Sequence, residues 1–241
     1  MADDLELRAV ILAGGRGRRL EPYTSVLPKP LMPVGDRAIV EITVDRLVEC
    51  GIDDITLCVG YLAHLIEAVL SRRSETVRLT YVQEPTPRGT AGPLRLVSGL
   101  TDTFLVMNGD LLTDLDYRDL VEAHRQSGSL ITIATHHRRQ QIDYGVLHVA
   151  EGGTSGRLVR YEEKPEIPLT VSMGIYVMEP QVLEHIPATG YFDFPQLVHA
   201  LLDQGLPVST YGFSGFWLDI GRRDDYEQAL EQWATIDAHQ G

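Results

Sequence analysis

The chain is poor in cysteine, in cations and in long apolar runs, and each shortage removes a class of protein. Two cysteines among 241 residues, Cys50 and Cys58, cannot build a disulfide-stapled scaffold or a four-cysteine zinc site. Both sit in apolar surroundings and read as small core residues, so a cytoplasmic location is the expectation. Lys and Arg number 21 against 34 Asp and Glu, a formal net charge of −13. Nucleic acid and anionic membrane surfaces are therefore not expected partners. No run approaches the ~20 apolar residues of a membrane span. The start, Met-Ala-Asp-Asp-Leu-Glu, lacks the basic and apolar regions of a signal peptide. Internal repeats and low-complexity linkers are missing too. With 44% hydrophobic residues, the chain has enough apolar material for one large domain, expected over residues 1–241.

The most informative stretch runs from Val10 to Val34: V-I-L-A-G-G-R-G-R-R-L-E-P-Y-T-S-V-L-P-K-P-L-M-P-V. The apolar run Ala9 to Ala13 reads as a buried strand. It empties into Gly14, Gly15 and Gly17, whose bare backbone lets an anion approach the N–H groups closely. Arg16, Arg18, Arg19 and Lys29 add positive charge, and a triphosphate suits such a loop. Two familiar phosphate loops are excluded. No Gly-Lys-Ser/Thr occurs, as an ATPase loop requires. The dinucleotide fingerprint fails because Leu20 stands where its last glycine belongs.

Further along, apolar spacing predicts a helix over Ile39 to Cys50 stopped by Gly51, a strand over Ile55 to Val59, a helix near His64 to Ser71 and a strand over Arg78 to Val82. Strands alternating with helices in short steps indicate an α/β fold with a parallel sheet. Gln83 to Pro93 (Q-E-P-T-P-R-G-T-A-G-P) is a loop, followed by a helix to Ser98. Phe104 to Met107 is a strand ending in Asn108-Gly109-Asp110. Tyr117 to Ser127 is an amphipathic helix and Leu130 to Thr135 a strand. His136 and His137 stand together without further ligands at zinc spacing, which favours surface residues. Val171 to Met178 reads as strand, Phe194 to Gln204 as helix, Leu206 to Tyr211 as strand, and Asp225 to Ala238 as the final helix.

The pattern L-A-G-G-x-G-x-R-L-x-P-x-T followed by P-K-P-x-x-P, filled at every position from Leu12 to Pro33, resembles the signature of the sugar-phosphate nucleotidylyltransferases. The G-T-A-G-P-L run at Gly89 to Leu94 is similar to the mannose-1-phosphate guanylyltransferase branch. The resemblance extends from about Ala9 to about Ala229. It implies a Rossmann-like, mixed but mainly parallel sheet flanked by helices, with a nucleotide-binding half at about residues 9–135 and a sugar-phosphate-binding half at about 136–230. The family's C-terminal β-helix of hexapeptide repeats is not expected.

The same resemblance implies the site. Leu12, Ala13, Gly14, Gly15 and Gly17 would cradle the nucleotide, with Arg19 on the β- and γ-phosphates and Lys29 near the α-phosphate. Glu84, Gly89 and Thr90 would hold the base. Thymidylyl- and uridylyl-transferring members commonly have glutamine where Glu84 stands. A carboxylate only accepts hydrogen bonds and so matches the neighbouring donors of guanine. GTP is the expected nucleotide, with dTTP or UTP as the alternative if Gln83 reads the base. Asp110, and Asp219 from the G-F-W-L-D-I-G run, would bind Mg²⁺. Gly145 in Y-G-V, Glu163 and Lys164 in Y-E-E-K-P, and Gly174 in S-M-G-I-Y would hold a mannose- or manno-heptose-like sugar 1-phosphate. Homodimers or homotetramers are common in the family. Two other readings stay open: a non-catalytic homologue that senses an NDP-sugar, and a cytidylyltransferase.

Overall fold

The computed structural model describes residues 7–150 and 155–237. The acidic start at residues 1–6 and Ala238 lie outside the described residues. In chain order the strands and helices are β1 (Arg8–Ala13), β2 (Pro33–Val34), β3 (Arg37–Ala38), α1 (Ile39–Glu49), β4 (Asp54–Val59), α2 (Ala63–Leu70), β5 (Arg78–Gln83), β6 (Phe104–Asn108), β7 (Leu111–Thr113), α3 (Tyr117–Ser127), β8 (Ile131–Gln141), β9 (Val146–Val149), β10 (Leu158–Glu162), β11 (Glu166–Met178), α4 (Phe194–Asp203), β12 (Val208–Phe213), β13 (Trp217–Asp219) and α5 (Arg223–Asp237).

Seven strands form the central sheet in the order β12-β8-β11-β6-β1-β4-β5. The pairs β1–β4, β1–β6, β4–β5 and β8–β12 are parallel, whereas β11 runs antiparallel to both β6 and β8. The sheet is mixed and mostly parallel, with helices on both faces. Alternation along β1 shows why both faces need cover. Ala9, Ile11 and Ala13 pack with α1, α2 and α3 in one apolar cluster, while Val10 packs with α4 in another. Buried on both sides, such strands read as continuous apolar runs. A third cluster joins Leu20, Val34, Ile39, Leu218 and Ile220, tying the loop after β1 to the last strand. Cys50 and Cys58 are free and buried, and burial pushes the Cys58 thiol up to about 12, where it stays a neutral core group. Among the described residues no helix is long and apolar enough to cross a membrane.

Four expectations need correction. The helix after Pro93 is only a 3₁₀ turn, Gly92–Leu96, because the chain turns extended at Val97 and Gly99 takes a positive φ. The strand expected to end at Thr135 runs on to Gln141, so the two histidines lie within it. The strand expected from Val171 begins at Glu166. These two extensions pair with each other, Glu166 with Gln141 through Ser172 with Thr135. Among the described residues β8 has no second neighbour beyond His136 and β11 none before Ile175, so they leave the sheet as a two-stranded arm. Last, β12 starts two residues later than expected.

Candidate functional site

The carboxyl ends of β1, β5 and β6 open onto a cavity of about 470 Å³, the position where open α/β sheets bind ligands. From the loop after β1 come Leu12, Ala13, Gly14, Gly15, Gly17, Arg18 and Arg19. Lys29 and Pro30 enter on a 3₁₀ turn. The loop after β5 supplies Glu84, Pro87, Arg88, Gly89 and Thr90, and the end of β6 supplies Asn108, Gly109 and Asp110. Tyr191, Asp193, Asp219 and Gly221 complete the lining. Every sequence-predicted nucleotide, catalytic and metal residue is therefore in one cavity. Arg16 is not: its guanidinium lies 5.1 Å from the Tyr61 ring centroid.

The glycine loop is shaped by what presses on it. A Cβ on Gly14 would come within 2.1 Å of Glu84 Oε1, so no larger residue fits without displacing that carboxylate. Glu84 is half-buried, and its Oε2 accepts the Arg88 backbone N–H at 3.1 Å. Burial raises its pKa above the ordinary glutamate value, opposed by the Arg88 backbone bond and charge. Gln83, the alternative base reader, is exposed and outside the lining.

Acids and cations meet at the cavity's other end. Lys29 is buried, and its ammonium donates to Asp110 Oδ2. Asp110 Oδ1 is buried without a partner among the described residues. Short strands bring the second carboxylate close: β13 pairs antiparallel with β7, setting Asp219 opposite Leu111, and the Ile220 N–H donates to the Asp110 carbonyl at 3.1 Å. Burial first, and then the charge of Asp110, raise the Asp219 pKa; Lys29 and Arg19 oppose the rise. Two facing carboxylates with an unpaired oxygen are a donor set for a hard cation such as Mg²⁺, which takes its other ligands from phosphate and water. Among the described residues no group of three His, Cys, Asp or Glu side chains could hold a metal. The zinc reading of His136 and His137 also fails on geometry, since neighbours on a strand face opposite sides.

The sugar-side residues are placed differently. Gly145, Glu163 and Lys164 lie at the far end of the arm, outside the cavity lining. The Tyr161 ring covers Gly145, and its hydroxyl donates to Glu163 Oε2. Lys164 is exposed with φ 45°. Gly174 is nearer: a Cβ there would lie 2.6 Å from Nδ2 of Asn108, a lining residue.

Arg18, named from the sequence only for the charge of the loop, lines the cavity as well. Sequence reasoning missed Arg88, Asn108, Tyr191 and Asp193 as site residues. Arg88 adjoins Gly89 and Asn108 lies two residues before Asp110, so the motifs already pointed at them. Tyr191 and Asp193 carry only the local signature of a helix start, in which the Asp193 backbone N–H donates to Gln196 Oε1.

Comparison with known proteins identifies the family. A family model described as nucleotidyl transferase matches residues 8–235. A UTP–glucose-1-phosphate uridylyltransferase from Synechocystis is 32% identical over 93% of the chain and 62% of its own length. A mannose-1-phosphate guanyltransferase from Aspergillus fumigatus is 33% identical over 91% of the chain and 62% of its own length. The chain thus spans about three fifths of these curated relatives. A crystal structure from Bacillus anthracis, described as a glucose-1-phosphate thymidylyltransferase, superposes with a TM-score of 0.72 at 26% identity, covering 94% of both chains.

Proposed function

Since the chain belongs to the nucleotidyl transferase family, we propose that it condenses a nucleoside triphosphate with a sugar 1-phosphate, giving an NDP-sugar and pyrophosphate. One observation carries this reading: a single cavity joins the glycine–arginine loop, the Lys29–Asp110–Asp219 cluster and an acceptor-only carboxylate, Glu84. Both anions must approach each other, so positioning and charge stabilisation are the chemical need.

An oxygen of the sugar 1-phosphate attacks the α-phosphorus, a P–O bond forms, and the bond to the bridging α–β oxygen breaks. The attacking oxygen is already anionic, so no general base is required. Arg19 would hold the β- and γ-phosphates and the departing pyrophosphate, where a guanidinium fork suits two oxygens. Lys29 would meet the α-phosphate. Leu12, Ala13, Gly14, Gly15 and Gly17 would bring backbone to the triphosphate. Asp110 and Asp219 would hold Mg²⁺, which supplies charge neutralisation at the phosphates when bound. Glu163 and Lys164 would bind the sugar hydroxyls and phosphate, with Gly145 and Gly174 beside them. The nucleotide-binding and sugar-phosphate-binding halves would act as one unit.

Guanine is the favoured base. Glu84 keeps lone pairs beyond the one given to Arg88 N–H, and guanine offers adjacent N1–H and 2-amino donors to a carboxylate. A mannose-like sugar 1-phosphate accompanies that choice, matching the substrate in the Aspergillus relative's name. The Synechocystis relative favours a second reading, transfer from UTP to glucose 1-phosphate. The test is pyrophosphate release in Mg²⁺ with GTP, UTP, dTTP, CTP and ATP against a panel of sugar 1-phosphates. Turnover with GTP is expected. Preference for UTP or dTTP would overturn the base assignment and keep the class. Silence across the panel with NDP-sugar binding would favour a sensor.

A further inference from the structure

Residues 188–193, a loop without regular structure, are fastened to the loop after β5 at both ends. The Phe192 N–H donates to the Arg88 carbonyl at 2.9 Å, and the Phe192 carbonyl accepts from Ala91 and Gly92 at 3.0 and 2.9 Å. The Arg88 guanidinium donates to the Ala188 carbonyl at 3.1 Å. Thr90 and Asp193 then clasp each other. The Thr90 N–H donates to Asp193 Oδ1 at 3.0 Å, and the Thr90 hydroxyl accepts the Phe194 N–H, the first of α4, at 2.7 Å. Gly89, at φ +83°, is pressed so closely that a Cβ would lie 2.6 Å from the Phe192 carbonyl oxygen. The loop that lines one end of the cavity is thus shaped by a segment about a hundred residues away.

That segment also puts an aromatic ring at the cavity's edge. Tyr191 lines the same cavity as Glu84, Pro87 and Arg88, yet is 63% exposed, and the nearby Asp193 carboxylate raises the pKa of its hydroxyl. The ring is large and apolar and is left mostly uncovered by the described residues. A planar heteroaromatic base entering from solvent would cover it.

We propose that Tyr191 forms the outer wall of the nucleobase end, its ring stacking on the base, and that Asp193 is a positioning residue that holds this wall through Thr90. This inference rests on the nucleotidyl-transfer reading. Glu84 then selects by hydrogen bonding while Tyr191 adds base-tolerant contact, since every base has a π-face. Stacking of this kind supports about a tenfold change in affinity.

The test is calorimetric binding of GTP, UTP and base-free tripolyphosphate to the whole chain in Mg²⁺, with unfolding midpoints recorded for each variant. Tyr191→Ala is expected to weaken GTP about tenfold and UTP less, with tripolyphosphate bound as by the wild type. Tyr191→Phe should bind GTP within about twofold of wild type. Asp193→Ala should follow Tyr191→Ala, and Asp193→Asn, which keeps an acceptor for the Thr90 N–H, should recover most of the loss. Unchanged GTP binding in Tyr191→Ala, or equal losses of GTP and tripolyphosphate, would overturn the inference alone. Wild-type protein that binds neither GTP, UTP nor tripolyphosphate would overturn the nucleotidyl-transfer reading and this inference with it.

Discussion

Lys29→Met tests the charge arrangement at the phosphate end most directly. Methionine keeps the length of the aliphatic stem and removes only the ammonium. Lys29 and Asp110 expose 11% and 21% of their side chains, so the pair is largely desolvated. Breaking a buried pair by removing one partner costs about 3–5 kcal/mol. Water can reach the exposed fifth of Asp110, which lowers the expected cost to about 2–3 kcal/mol. Asp110 would then keep no partner on either oxygen among the described residues, beside a second carboxylate. In urea, with a chelator present, that loss moves the unfolding midpoint down by roughly 1 M. Mg²⁺ should reverse it, because the variant no longer has to release an ammonium to bind the cation. A concentration a hundredfold above Kd contributes about 2.7 kcal/mol, comparable to the loss. The sign with pH is also fixed. Asp219 has a raised folded pKa, so ionising it disfavours the fold as pH rises above the ordinary carboxylate range. Removing Lys29 takes away one of two opposing cations, and the deficit should shrink as pH falls from 7.5 toward 5. An unchanged midpoint in chelator at pH 7.5, or a deficit that Mg²⁺ leaves untouched, would refute the reasoning.

Four further outcomes are expected. Asp110→Ala should abolish pyrophosphate release, and measurable turnover at saturating Mg²⁺ would remove it from the metal set. Lys164→Ala should raise the KM for the sugar phosphate about tenfold, as loss of a charge-assisted contact implies, with nucleotide KM little changed; the reverse pattern would move Lys164 out of the sugar site. Because burial raises the Glu84 pKa, GTP affinity should fall as pH drops through that raised value, while a Glu84→Gln variant should show no such fall. Gly174→Ala places a Cβ at φ +73° against Asn108; left-handed backbone alone costs about 1–2 kcal/mol, and thermal unfolding that matches wild type would show that the backbone relaxes freely.

The parts legible from sequence were those whose cause is local. The apolar run of β1, the Gly14–Gly17 loop, and α3 with its Asp116 cap and Gly128 stop follow from neighbouring residues. The arm does not. His136 to Gln141 is a polar run with no strand periodicity, and it is a strand because Glu166 to Val171 supplies its hydrogen bonds. The pairing of Asp110 with Asp219 depends on β7 meeting β13, and only a family resemblance could anticipate it. Residues 188–193 escaped notice for a similar reason: their work is done by backbone groups and by contacts across about a hundred residues.

Strand β11 gives the molecule a mechanical character. Its last four residues, Ile175 to Met178, are gripped by β6 on one side, while among the described strands Glu166 to Ser172 pair with β8 alone. The register breaks between Ser172 and Tyr176, around Gly174. The strand is a cantilever with its fulcrum against Asn108, at the cavity's own wall. Its free part measures about 25 Å of contour at strand rise. A bend of about 10° at the fulcrum swings the tip, where Lys164 sits, through about 4 Å. Whatever presses on Asn108 from inside the cavity therefore has a lever on the residues proposed to meet the second substrate.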